Sequence, residues 1–238
     1  KQWLDHKDYA VTTMNIHLRT LRTFLRWAHA MEYLETPLTV KQIPTRTPAP
    51  IYVSNAEVDA ILAEVDPPVQ RAFWFYRETG CRLSEPLQGT IDGEFLHIAA
   101  ETAKGHSSHD IYLSPPLLRI LREMRAFHAQ RNGQDRHLIK YYSRKFREAC
   151  RAAGITGKKF HSLRHTFAVR HYLQTRDIYA VAKQLGHASV TTTEIYAKFN
   201  LKRLEQDFPD LASRKQGARV TSLATDPPSM PQNTATHG

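Results

Sequence analysis

Apolar residues recur every three or four positions through much of the chain, which is the spacing of amphipathic helices. The run from Thr12 to Met31 shows this spacing, and either Thr12 or Thr13 is the expected N-cap. Its polar face carries three arginines: Arg19, Arg22 and Arg26. The sequence therefore opens with a predicted amphipathic helix that has one basic face.

Capping and turn residues divide the rest of the chain into further helices and two strands. Ser54 and Glu57 have the spacing of a capping box, and Pro86 falls where the first turn of a helix tolerates proline. The predicted helical segments are Ser54 to Val65, Val69 to Thr79, a short one from Ser84, Ser114 to Gln130, Tyr142 to Ala153, His161 to Leu173, Ile178 to Leu185, and one opened by Ser189. The predicted strands are Phe95 to Ala100 and Asp110 to Leu113.

Proline-rich and polar stretches indicate where the chain divides. Lys41 to Pro50 contains three prolines and no apolar periodicity, which is typical of a linker. We expect residues 1–47 to form the last part of a helical domain and its linker, 48–209 a second domain, and 210–238 a flexible tail that is disordered from about Gly217. Because the chain does not begin with methionine, we expect further sequence upstream.

The charge of the chain is concentrated in one stretch. The formal net charge is +10, and from Arg136 to Arg176 eleven Lys and Arg residues face one acid, Glu148, so this stretch holds the whole excess. A solvated basic face is the alternative explanation, but such a block favours a polyanionic partner such as DNA. The residues expected to contact DNA are Arg144, Lys145, Lys158 and Lys159, together with Arg19, Arg22 and Arg26.

The residues from Phe160 to Phe199 hold the densest group of reactive side chains. His161 and Arg164 are three positions apart and share a helix face, His187 follows a predicted helix end at Gly186, and Tyr196 comes nine residues later. Arginine binds phosphate oxygens bidentately, histidine transfers protons near neutral pH, and tyrosine can be a nucleophile. The set therefore suits chemistry on a phosphodiester.

These motifs in their order resemble the tyrosine recombinase (phage integrase) family. His-x-x-Arg, Leu-Gly-His and the tyrosine nine residues on are similar to its pattern, as is Thr-Gly-x-Arg-x-Ser-Glu around Arg82. The family also has a lysine on a β-hairpin, and Lys104 lies between the two predicted strands. The resemblance implies a mainly α-helical catalytic domain with a small antiparallel β-sheet, preceded by part of a helical core-binding domain.

The resemblance implies a role for each matching residue. Arg82 and Arg164 would clamp the scissile phosphate, while Lys104 would protonate the leaving 5′-oxygen. His161 would position or deprotonate the tyrosine, and His187 would bind a non-bridging oxygen. Tyr196 would attack phosphorus to give a 3′-phosphotyrosyl intermediate, so neither ATP nor a metal or other cofactor is expected.

Glu85 and His165 lie near these residues in the sequence, and each can have a structural role instead of a role in the site. Glu85 either orients Arg82 or a histidine, or is a carboxylate that stabilises a helix N-terminus. His165 is expected to be structural and packed against its own helix. His161 and His165 have the spacing of zinc ligands on a helix, but no third ligand is evident, so no metal site is predicted.

The resemblance also implies an assembly and a place of action. We expect double-stranded DNA as partner and a homotetramer on two DNA sites, with Leu201, Leu204 and Phe208 docking on a neighbouring subunit. No apolar run is long enough for a membrane span, and two cysteines suggest a reducing cytoplasm, here of a bacterial, archaeal or phage-host cell. The alternatives to a recombinase are a topoisomerase-like nicking and closing enzyme, or a DNA-binding protein that has lost the chemistry.

Overall fold

The computed structural model describes residues 9–45, 49–101, 107–130 and 135–212, without the side chains of residues 135 and 136. It divides into two compact units, Lys1–Ala49 and Pro50–Gly238. The predictions for Lys104 and for residues 213–238 of the tail lie outside the described residues, while residues 210–212, predicted as part of the tail, belong to a helix. Among the residues that are described, no helix has the length and apolar character needed to cross a membrane.

The first unit is built on helix α1, Val11–Ala30. The predicted threonine cap is wrong, because Ala10 precedes the helix and contributes no side-chain hydrogen bond. Asn15 instead exchanges two hydrogen bonds with the backbone of Ile43, and Arg22 donates two to the carbonyl of Val40. The polar side chains of α1 therefore hold the extended segment that follows it.

The second unit is mainly helical with a three-stranded antiparallel sheet, which confirms the predicted fold class. The helices before the strands are α2 (Asn55–Ala63), α3 (Pro67–Thr79) and α4 (Glu85–Gln88). The strands are β1 (Thr90–Asp92), β2 (Phe95–Ile98) and β3 (His109–Tyr112). The later helices are α5 (Pro115–Gln130), α6 (Asp135–Ala152), α7 (Ser162–Thr175), α8 (Ile178–Leu185), a 3-10 turn (Val190–Thr192), α9 (Glu194–Ala197), α10 (Leu201–Asp207) and α11 (Pro209–Ala212).

Local sequence signals explain several of these boundaries. The capping box of Ser54 and Glu57 is present at the start of α2. Helix α3 ends at Gly80, which has a left-handed φ of 65°. A Cβ at this glycine would lie 2.5 Å from the ring of Phe167, so the close approach of α7 also requires glycine here. Helix α6 starts seven residues before its predicted start at Tyr142, so the sequence pattern missed its first two turns.

Strand β2 ends two residues before its predicted end at Ala100, and β3 is shifted by one residue from its predicted bounds. The sheet also has one strand that was not predicted, β1. β2 pairs with β1 through Leu96 and Ile91, and with β3 through Leu96 and Ile111. Leu96 and Ile111 are buried while their neighbours in sequence are exposed, which is the alternation of a sheet with one face on the core. Strand β1 was not predicted because it has only three residues, which are too few to show the alternation of a strand.

Helix α7 lies between two hydrophobic clusters and is buried on nearly all sides. Leu163 packs in a cluster with the aromatic residues of α3, including Phe73. Phe167 and Val169 belong to a second cluster, which also includes residues from α10 and α11. The predicted apolar stripe of this helix is therefore only part of its buried surface.

Helices α10 and α11 pack on their own chain. Leu204 and Phe208 are fully buried, which contradicts the expectation that they form a face for docking on a neighbour. Polar contacts complete this packing, since the hydroxyl of Tyr52 donates to Asp207 and the amide of Asn55 donates to Asp210. These contacts place the beginning of the second unit beside its last described residues.

We expect Phe208→Ala to lower the free energy of unfolding by about 3–5 kcal/mol, because it removes a fully buried ring from the second cluster. The matched control is Leu201→Ala on the same helix pair, where the side chain is 38 % exposed. Urea unfolding of the two variants measures the difference. Equal and small effects would contradict the intramolecular packing of Phe208.

Candidate active site

Arg82 and Glu85 are brought together by the turn that leads into α4. The Arg82 guanidinium donates to one Glu85 carboxylate oxygen at 2.6 Å, and the Arg82 backbone N–H donates to the other at 2.6 Å. Glu85 is buried, with a side chain 3 % exposed, while the Arg82 side chain is 20 % exposed. The carboxylate therefore orients Arg82 and leaves its outer face open to a ligand.

Arg164 lies within α7, where the chain crosses the ends of two other helices. Its Nη1 donates to the Gly80 carbonyl at 2.7 Å, and its Nη2 donates to the Leu185 carbonyl at 2.6 Å. Burial, and then the charge of Arg82, lower the pKa of Arg164 to about 10, while Glu85, 3.9 Å away, opposes this. The guanidinium stays charged at neutral pH, and only part of its donors are used by the protein.

Tyr196 is held by the histidine that the sequence analysis treated as structural. Its hydroxyl lies 2.8 Å from Nδ1 of His165, and the tyrosine is 2 % exposed. The expectation that His165 only packs against its own helix is wrong, and the contact to tyrosine predicted for His161 is made by its neighbour one turn later. The ring of His161 instead packs edge-on against that of His165, with centroids 4.8 Å apart.

Burial sets the protonation states of the tyrosine and its partner. It raises the pKa of Tyr196 to about 12, against a smaller lowering by Arg164. Burial lowers the pKa of His165 to about 4, helped by the charges of His161 and Arg164. At neutral pH the pair is thus a phenol beside a neutral imidazole, which can accept the phenol proton if its own proton is on Nε2.

His187 is oriented by the threonine-rich turn before α9. Its Nδ1 lies 2.8 Å from the hydroxyl of Thr193. Thr193 itself is fully buried. Burial lowers the pKa of His187 to about 4, and the charges of Arg164 and Arg82 act in the same direction. The ring is therefore neutral, with Nε2 available for a further hydrogen bond.

A basic pocket opens beside these residues. It has a volume of about 400 Å³, and His161 and Arg164 form part of its wall. Arg147 and Lys159 are also in its lining, together with aromatic side chains of α6 and the segment before α7. A pocket with several cations beside the two clamping arginines favours an anionic ligand.

The other residues predicted to bind DNA differ in their surroundings. Arg19, Arg26 and Lys159 are exposed. Arg144 is exposed and lies 3.8 Å from Glu148, and Lys145 lies over the ring of Tyr141 at 6.0 Å.

Two of the side chains predicted to contact DNA, those of Lys158 and Arg22, bind other groups of the protein instead. The amino group of Lys158 is bound to Glu57 at 2.9 Å and to the carbonyl of Tyr52 at 2.6 Å. Arg22 holds Val40, as described above. These two side chains are structural in this arrangement, and Lys104 lies outside the described residues.

Sequence reasoning missed two residues of the site. His165 lies one helical turn after His161, and this i, i+4 spacing was the signal that it shares the same face. Thr193 belongs to the threonine run, which was interpreted only as a helix start. Within the described ranges, no three His, Cys, Asp or Glu side chains are grouped closely enough to hold a metal ion.

The family model described as the phage integrase family matches residues 52–203. This match covers more than half of the chain and includes every residue of the site described above. The chain therefore belongs to the phage integrase family, the tyrosine recombinases, as the motifs had indicated.

Curated relatives cover most of the chain at low identity. The tyrosine recombinase XerA of Thermococcus onnurineus is 25% identical over 85% of this chain and 76% of its own length. XerD of Vibrio cholerae is 25% identical over 87% of this chain and 76% of its own. For XerC of Caldanaerobacter subterraneus, also 25% identical, the match covers 66% of this chain but only half of the relative.

Solved structures show the same fold. A lambda integrase dimer bound to a core site matches with a TM-score of 0.61 and 19% identity, over 78% of this chain and 73% of that one. The Tn1549 transposon integrase, in complex with transposon right end DNA, matches with a TM-score of 0.62 and 14% identity, over 89% of this chain and 82% of that one. At such identities these matches establish the fold of a tyrosine recombinase catalytic domain and nothing finer.

The lowered pKa values of two site histidines predict how stability depends on pH. His165 and His187 stay neutral in the folded protein down to about pH 4, whereas the ordinary pKa of histidine is 6.5. Between these values the unfolded chain binds more protons, so the free energy of unfolding falls as the pH falls. We expect His165→Gln to have a shallower dependence than the wild type in urea unfolding from neutral pH to about pH 4.

His137 is exposed on α6 and provides the matched control, His137→Gln. The control shows how far removal of an exposed histidine changes the pH dependence. If His165→Gln has the same pH dependence as His137→Gln, the neutral state assigned to the buried imidazole is wrong.

Proposed function

We propose that this protein is a site-specific DNA recombinase that cleaves and rejoins strands through a 3′-phosphotyrosyl intermediate on Tyr196. The observation that carries the proposal is the contact of the Tyr196 hydroxyl with the neutral imidazole of His165, 2.8 Å away. A phenol beside a proton acceptor, close enough to Arg164 for that charge to act on its pKa, is suited to attack on a phosphodiester.

The first step forms the bond from the Tyr196 oxygen to phosphorus. The phenol proton passes to His165, and the bond from phosphorus to the 5′-oxygen breaks. Lys104 supplies a proton to that oxygen, so the products are a phosphotyrosyl enzyme and a free 5′-hydroxyl. Reversal of the same steps with another 5′-hydroxyl rejoins the strand. Each step exchanges one phosphoester bond for another, so no external energy source is required.

The two arginines and His187 act on the non-bridging oxygens. Arg82 has one face on Glu85 and the other open, and Arg164 has donors beyond the two that bind backbone carbonyls. Placed on either side of the phosphate, they would stabilise the negative charge that develops as phosphorus becomes pentacoordinate. His187 would donate from Nε2 because Nδ1 is engaged with Thr193.

The proposed partner is double-stranded DNA, bound by the basic pocket and by the exposed cations of α6. Among the solved structures of the same fold is a lambda integrase tetramer bound to a Holliday junction. We extend that assembly to this protein as a homotetramer on two DNA sites, acting in the cytoplasm. Integration or excision of a mobile element is the proposed biological setting.

Trapping of the covalent intermediate tests the central step. Nicked duplexes of randomised sequence serve as the probe, because cleavage next to a nick releases a short strand and leaves the protein attached to DNA. Adducts captured by the wild-type protein identify the preferred sequence, and two copies of that sequence on one plasmid then distinguish recombination from nicking and closing alone. A protein that only binds DNA would give no adduct.

We expect Tyr196→Phe to abolish the covalent adduct and to leave DNA binding nearly unchanged. The substitution removes the nucleophilic oxygen and keeps the buried ring, so the packing of α9 on α7 is preserved. Tyr179→Phe is the matched control, because this tyrosine is 70 % exposed and lies outside the site. An adduct that persists in Tyr196→Phe would assign the nucleophile to another residue.

We expect Lys104→Ala to cleave ordinary DNA slowly and to recover on DNA with a bridging 5′-sulfur. A thiolate, whose conjugate acid has a pKa of roughly 8.5, leaves without the proton that an alkoxide requires. Arg164→Ala should stay slow on both substrates, because the bridging sulfur does not change the non-bridging oxygens. Equal defects of Lys104→Ala on both substrates, measured as rates of adduct formation, would remove it from the role of general acid.

A further inference from the structure

His109, the first residue of β3, is a polar residue of the site to which no role has been assigned. Both of its ring nitrogens are shielded from solvent, and neither has a hydrogen-bond partner within the part of the chain that the structure describes. The backbone of Ser107 lies near the ring without reaching hydrogen-bond geometry. A shielded polar group without a partner destabilises the folded protein, so the presence of a histidine at this position requires an explanation.

The imidazole lies directly against the turn that carries His187. A Cβ on Gly186 would come within 2.3 Å of Nδ1 of His109, so only a glycine allows the ring this position. Gly186 has a left-handed φ of 61°, which glycine adopts without strain. The end of α8 and the start of β3 thus meet at this ring.

The charges around the ring are those of the phosphate clamp. Burial lowers the pKa of His109, while Glu85 raises it and Arg164 and Arg82 lower it. The ring is therefore neutral and carries one N–H among the groups that would surround the phosphate. His109 as a whole is half-buried, whereas Arg164 and Tyr196 are 3 % and 2 % exposed.

We propose that His109 is a further substrate-binding residue, which donates a hydrogen bond from its ring to the scissile phosphate held by Arg82 and Arg164. This inference rests on the proposed function. It gives the unpartnered N–H an acceptor, and it makes the first residue of β3 part of the phosphate site. A neutral donor at this position adds no charge to the two arginines and so does not increase their repulsion.

The test compares His109→Phe with His109→Gln. Phenylalanine keeps the planar ring on Gly186 but has no N–H, whereas glutamine keeps an N–H donor at similar reach. The readouts are the rate of adduct formation at saturating DNA, with the probe captured by the wild-type protein, and the thermal unfolding temperature. Tyr196→Phe in the same assay shows that the adduct depends on the proposed nucleophile.

We expect His109→Phe to slow adduct formation by about tenfold to a hundredfold, the effect of losing one hydrogen bond to a charged group. Its unfolding temperature should equal or exceed that of the wild type, and His109→Gln should recover part of the rate. Wild-type rates in His109→Phe, or a lowered unfolding temperature in both variants, would overturn the inference and leave the proposed function intact. No adduct from the wild-type protein would overturn both.

Discussion

The buried carboxylate of Glu85 is the interaction on which the geometry of the site depends. Two guanidinium groups in one partly buried place repel each other, and burying them without a counterion would be strongly unfavourable. Glu85 contacts Arg82 directly and lies 3.9 Å from Arg164, so it offsets one of the two positive charges. One net positive charge remains, which matches the single negative charge of a phosphodiester.

Helix α7 connects this electrostatic arrangement to the packing of the whole unit. It presents Arg164 and His165 to the site while its other residues fill two hydrophobic clusters. Its position is therefore determined on several sides at once, and the distance from His165 to Tyr196 depends on how α9 packs against it. Substitutions in either cluster would change the site through α7 without touching a reacting group.

Features set by neighbouring residues were predictable from the sequence, and features set by distant ones were not. The capping box at Ser54 and the glycine at the end of α3 follow from local geometry. The partner of Tyr196 does not, because His161 and His165 share one helix face and the choice between them depends on a helix 31 residues away. The resemblance likewise implied that Leu204 and Phe208 would be covered by a neighbouring subunit, and only the folded chain shows that they are buried within their own unit.

The contacts that join the first and last segments of the second unit have a consequence for how such a protein can change. Tyr52 and Asn55 bind Asp207 and Asp210, so the first and the last described segments of this unit lie side by side. A domain whose ends lie side by side can be joined to different sequences before or after it without strain on its interior. The unit can therefore act as a module. New DNA-recognition segments can be attached near the contacts of Tyr52 and Asn55 with Asp207 and Asp210, while the site formed by α4, α7 and α9 keeps its geometry.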